Sequence, residues 1–233
     1  MAEQLHRTVM LAGPAGRLET ILWSLPRESG AAAPPLAALV CHPHPLFGGT
    51  MHNKVVYQAA KTLHRFGLPV VRFNFRGVGA SEGKHDEGNG EEQDVRAVID
   101  FLAAEYPGVP LLAAGFSFGS WVGLRAGCAD SRVVELLGLG LPAGNLDARN
   151  FSYLERCEKP KLLVSGEFDS FGPPATLRAM VAGFPEAVRE ETRVSIVRGG
   201  DHFFTGHLAD LERAIAEWVL ERHPELAARE SRT

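Results

Sequence analysis

What most narrows the fold of this chain is a rhythm of short apolar runs, each followed by a segment with helical spacing. The runs "LAALVCH", "PVVRFNF", "VPLLAAGF", "RVVELLGLGLP", "KPKLLVSGEFD" and "TRVSIVRGG" recur through most of the 233 residues. Continuous apolar runs of this length read as strands buried on both faces. Between or after them, helices are predicted at about His52–Phe66, Glu91–Tyr106, Ala175–Val188 and Gly206–His223, with another directly after "GFSFG". Strands alternating with helices imply an α/β fold, a mostly parallel, twisted sheet with helices on both faces. The N-terminal part breaks the rhythm: "HRTVMLAG" and "GRLETILWSLP" flank the turn "GPAG" and predict an antiparallel hairpin. With no internal repeat and no linker, 1–233 reads as one domain with a polar tail from about residue 224.

Composition removes several function classes. Net charge is −4 without a long basic run, which argues against nucleic acid or an anionic membrane as partner. The start "MAEQLHRTVM" carries an early acid and no apolar core of a leader, and no apolar run approaches the roughly 18 residues a membrane span needs. The three cysteines, Cys41, Cys128 and Cys157, are odd in number and show neither paired nor zinc-ligand spacing. They read as reduced, buried residues, and the expectation is a soluble cytoplasmic protein. Nothing in the sequence sets an oligomeric state.

The chemistry concentrates at "LLAAGFSFGSWVGLRAG". Gly115-Phe116-Ser117-Phe118-Gly119 fits G-x-S-x-G at the point where an apolar strand becomes a helix. In that setting the serine occupies a tight, strained turn that lifts its hydroxyl above the sheet edge, and glycines flank it because side chains would clash. The helix N-terminus then frees the backbone N–H of Phe118 to bind a developing oxyanion.

A serine hydroxyl needs a histidine base, itself oriented by a carboxylate. Asp169 follows an apolar strand in "LLVSGEFDSFGPP", and His202 follows the final strand in "VSIVRGGDHFF". Asp201 adjoins His202 too closely to reach its ring and is expected to shape the loop. Glu167 is still within or near the strand. Asp147 is the alternative acid. His42, His44 and His52 could suggest a metal, but no carboxylate or cysteine cluster lies nearby and a serine triad requires none. No metal or other cofactor is expected.

These motifs carry a resemblance. Over nearly its whole length the chain resembles the α/β-hydrolase superfamily, and more narrowly small bacterial dienelactone-hydrolase-like serine hydrolases. The likeness rests on "HPHPLFGGTMHNKVV", "FNFRGVGASEG" and "GFSFG". Dienelactone hydrolase itself uses a cysteine nucleophile where this chain has Ser117, so its lactone specificity does not carry over. The resemblance implies that the loop after the third strand supplies the second oxyanion donor. It points first to the N–H of His44, two positions after His42, and then to Leu46, since Pro43 and Pro45 have no N–H. Arg76 is expected to hold the "RGVGASEG" loop, and Asn89 is a candidate helix cap.

The interval from about Pro142 to Pro160 is roughly 19 residues, too short for more than a turn or two of lid helix. An open site with minimal or no cap follows. Its loops are aromatic: Phe47, Phe116, Phe118, Phe168, Phe171, Phe203 and Phe204 all lie near a proposed catalytic position. Phe116 is assigned to the core, whereas Leu46, Phe47, Phe171 and Phe203 are candidate pocket residues. The expected activity is hydrolysis of an uncharged short-to-medium acyl or aryl ester, a small-molecule partner. A thioesterase or peptidase would use the same triad, and a non-catalytic binding relative is the reading from another class.

Overall fold

A computed structural model describes residues 5–24, 33–144 and 151–227. The apolar runs form β3 (Ala37–Cys41), β4 (Val70–Phe73), β5 (Leu111–Phe116), β6 (Val133–Leu139), β7 (Lys161–Gly166) and β8 (Thr192–Val197), preceded by the hairpin β1 (Leu5–Gly13) and β2 (Gly16–Ser24). They make one eight-stranded sheet in the order β1-β2-β4-β3-β5-β6-β7-β8. Pairing is antiparallel within the hairpin and between β2 and β4, and parallel from β4 to β8.

Period-two alternation divides the core between the two faces. Along β5, Leu111 and Ala113 join the cluster containing Val98 and Val122, whereas Leu112, Ala114 and Phe116 join the one containing Val55 and Ile215. The first cluster is covered by α2 (Asn89–Glu105) and α3 (Phe118–Ala129), the second by α1 (Lys54–Arg65) and α6 (Leu208–Arg222). Every residue of β3 and β5 is buried, which is why these strands show no polar positions.

Two local expectations change. The helix predicted over about Ala175–Val188 is two helices, α4 (Pro174–Ala182) and α5 (Glu186–Glu190). Pro185 between them has no N–H to donate and biases Phe184 away from helical geometry. Asn89 is not a cap but the first residue of α2, and Gly88 occupies the cap position at φ 90°. The Glu91 carboxylate reaches back to accept from the N–H groups of Gly88 (2.9 Å) and Asp86 (3.0 Å), so the cap comes from inside the helix. Among the described residues no helix is long and apolar enough to cross a membrane. Cys41 and Cys157 are buried as expected, whereas Cys128 is half-buried.

Candidate active site

Ser117 sits between β5 and α3 at φ 53°, ψ −119°, a left-handed conformation that costs a non-glycine residue about 1–3 kcal/mol. The surroundings hold it there. Its N–H donates to the Leu139 carbonyl (2.9 Å), and its own carbonyl accepts from the N–H of Ser120 (2.9 Å) and the Ser120 hydroxyl (2.6 Å). A Cβ on Gly115 would lie 2.2 Å from the Gly119 carbonyl oxygen. One on Gly119 would lie 2.4 Å from that of His42 and 2.5 Å from that of Cys41. Both flanking glycines are therefore required by backbone contact, one against the turn itself and the other against the end of β3.

Three loops at the C-terminal ends of β5, β7 and β8 bring Ser117, Asp169 and His202 into one hydrogen-bonded row. The Nε2 of His202 lies 3.0 Å from the Ser117 Oγ, and its Nδ1 lies 3.0 and 2.9 Å from the two Asp169 oxygens. Asp169 Oδ1 also accepts from the N–H groups of Phe171 and Gly172, both at 2.9 Å. A carboxylate so placed accepts from the ring, which puts the imidazole proton on Nδ1 and leaves Nε2 to accept the serine hydroxyl. Asp169 and His202 are both buried, and the Phe116 ring packs beneath His202 at 5.1 Å.

The competing carboxylates serve the loops. Asp201 Oδ1 accepts from the N–H of Phe203 (3.0 Å) and Thr205 (2.8 Å), and Glu167 accepts from the N–H of Gly199 (2.8 Å). Asp147 lies outside the described residues.

The loop after β3 lies against the start of α3, with the rings of His44 and Phe118 4.8 Å apart. Among the described residues the N–H groups of His44 and Phe118 make no hydrogen bond. The N–H of Leu46, in contrast, donates to the Nδ1 of His44 at 3.2 Å, which occupies the alternative donor. His42 is fully buried; its Nδ1 bonds the Pro43 carbonyl (2.6 Å) and its Nε2 accepts from the N–H of Phe75 (3.0 Å). Burial pulls its pKa down to about 4, so the ring is neutral and ties the β3 loop to the β4 loop.

Sequence reasoning missed the charged layer behind this loop. His85 Nδ1 lies 2.8 Å from the buried Glu91 carboxylate, and its ring lies 5.0 Å from that of His44. Arg76 engages Asp94 through its backbone N–H, Nε and Nη2, at 2.8–3.2 Å. No motif marks such pairs, although "HDEGNGEEQD" holds both carboxylates, Glu91 and Asp94. Among the described residues no group of histidines, cysteines and carboxylates is placed to hold a metal.

Around the row runs an apolar rim. Phe47 is 86% exposed, Phe168 69% and Leu46 66%, with Phe171 and Phe203 also exposed. The rings of Phe171 and Phe203 lie 4.5 and 5.1 Å from that of His202. Phe116, Phe118 and Phe204 are buried and belong to the core.

Comparison with known proteins places these features in a family context. Residues 39–216 match the alpha/beta hydrolase domain family. A lidless a/b serine hydrolase from Xanthomonas campestris is 37% identical, with 93% of this chain and 94% of that one covered at a TM-score of 0.80. An alpha-beta serine hydrolase homologue from Coxiella burnetii is 32% identical, with coverage of 93% and 97% and a TM-score of 0.79. An uncharacterized protein of Rickettsia prowazekii is 35% identical over 212 residues, 89% of this chain and 86% of that protein.

Proposed function

The chain belongs to the alpha/beta-hydrolase family, and on that premise we propose that it is a serine carboxylesterase acting on uncharged esters with short-to-medium acyl or aryl groups. The observation that carries this reading is the row Asp169–His202–Ser117, with its 2.9 and 3.0 Å links and a proton order suited to base catalysis.

In the proposed reaction the Ser117 Oγ attacks the ester carbonyl as its proton passes to His202 Nε2. Asp169 stabilises the imidazolium that forms. The N–H groups of Phe118 and His44 hold the oxyanion, and His202 then protonates the leaving alcohol. Water, deprotonated by the same nitrogen, releases the acid from Ser117. The open site leaves water exclusion to the acyl group itself, lying on the Leu46, Phe47, Phe171 and Phe203 rim. These apolar side chains favour an uncharged acyl group over a charged one.

Ser117→Ala is expected to lower turnover of p-nitrophenyl butyrate by about 10⁴-fold or more and to abolish labelling by a fluorophosphonate. Full activity in that variant overturns the assignment. Parallel rates on aryl esters, acyl thioesters and small anilides order the bond preference, with esters expected fastest.

A further inference from the structure

Beside the loop after β3, rings from three separate segments pack together. The His44 ring lies 4.8 Å from that of Phe118, at the start of α3, and 5.0 Å from that of His85, between β4 and α2. The His85 ring in turn lies 5.8 Å from that of Phe118. His85 therefore meets the side chains of both residues proposed as oxyanion donors, although its own chemistry enters no step of the reaction.

His85 is itself anchored. Its side chain is only 7% exposed, and its Nδ1 lies 2.8 Å from Oε1 of the wholly buried Glu91. That carboxylate is fixed in turn, because Oε1 accepts from the Asp86 N–H and Oε2 from the Gly88 N–H. The exposed Glu87 stands 3.9 Å from the other ring nitrogen. Burial, and next the neighbouring His85, push the His44 pKa down. A neutral His44 ring keeps Nδ1 free to accept from the Leu46 N–H.

Packing alone does not account for a histidine here. Burying an imidazole and a carboxylate sacrifices hydration that an apolar ring would not, and such pairs are seldom a net source of stability. What the pair adds is direction. A ring tied through Glu91 to the backbone at the start of α2 presents a fixed wall to His44. An oxyanion donor requires such a wall, since its N–H must be held to within about 0.5 Å.

We propose that His85, held by Glu91, is a positioning residue of the oxyanion hole: it braces the rings of His44 and Phe118 and so fixes the loop that carries the His44 N–H. The catalytic consequence rests on the esterase reading; the bracing of His44 does not.

Two measurements on the full chain test this, turnover of p-nitrophenyl butyrate and the amide order parameter of His44 from nitrogen-15 relaxation. In His85→Ala the order parameter is expected to fall. There kcat is expected to drop about tenfold with KM little changed, because the misdirected N–H is needed only as charge develops on the carbonyl oxygen. A trifluoromethyl ketone, whose adduct with Ser117 carries that oxyanion, is expected to bind more weakly by the same factor, which a loss of stability alone would not produce. Glu91→Gln is expected to show a smaller fall, and the double variant to be no worse than His85→Ala, since the carboxylate acts through the ring. Unchanged kcat overturns the proposal, and so does an unchanged order parameter or strictly additive effects in the double variant. Should His85→Ala not fold, His85→Phe decides by the same readings, because it keeps a ring but loses the tie to Glu91. Wild-type turnover that is absent, or that persists in Ser117→Ala, overturns the esterase reading instead, and the order parameter still decides the bracing.

Discussion

His42 and His202 make the instructive comparison. Each follows a central or late strand, each has a glycine or proline within two residues, and each is almost wholly buried, at 0% and 4% exposure. Burial therefore does not separate them; their partners do. Both nitrogens of His42 end on backbone groups, the Pro43 carbonyl and the Phe75 N–H, so the ring is a fastener between two loops. Both nitrogens of His202 end on side chains, a carboxylate on one side and a hydroxyl on the other. A proton can enter by Nε2 and be stabilised across the ring at Nδ1. Desolvation holds the His42 ring neutral although its bond to the Pro43 carbonyl pulls the other way, whereas the carboxylate and the hydroxyl on either side of His202 give a proton a side-chain route.

The strongest way to break this contrast is to remove what makes His202 different. Asp169→Asn offers an amide that can donate to Nδ1 and so favours the wrong tautomer. The expected fall in kcat is about 10⁴-fold with KM little changed, read on a chromogenic ester. A fall below tenfold would show that Asp169 only supports the loop.

A smaller effect is expected at His42, and it separates stability from chemistry. His42→Gln leaves the Phe75 N–H or the Pro43 carbonyl short of a partner, costing about 1–3 kcal/mol in urea unfolding at neutral pH. In the wild type the folded ring resists protonation down to about pH 4, whereas the unfolded ring takes a proton near 6.5. The unfolded state thus binds more protons between those values. Its contribution is whole above pH 6.5 and falls as pH drops toward 4, by about 3 kcal/mol in all. That part of the acid slope should vanish in His42→Gln; an unchanged slope would place the titration elsewhere.

The mildest change concerns the exposed apolar rim, of which Phe47 is the most exposed member. Phe47→Ala should leave turnover of an acetyl ester unaffected but flatten the gain with acyl length. That gain in the wild type is expected to be about two- to threefold in kcat/KM per added methylene over the first few carbons. A series of p-nitrophenyl esters reads both slopes.

Much of this was legible beforehand because it is local. Apolar runs announce strands, "GPAG" announces the hairpin, and Gly115 and Gly119 announce a turn too tight for side chains. The misreadings are equally physical. The break at Gly183–Pro185 was hidden inside an otherwise helical apolar pattern. The cap of α2 came from Glu91 rather than Asn89 because Gly88 could adopt φ 90° and let that carboxylate fold back. The Leu46 N–H remained a candidate donor in sequence because no pattern shows that the His44 ring turns back to accept it.

By itself, then, the sequence determined the alternating layers, the strained serine turn and the strands after which an acid and a base must follow. Only the tertiary structure decided which neighbours meet: a backbone tether for His42, the His44 ring against the Leu46 N–H, and the Glu91 carboxylate against His85. Periodicity and turn chemistry act within a few residues of the chain. A hydrogen-bond partner is selected among groups from separate loops, whose directions are set only once the sheet has brought the strand ends side by side.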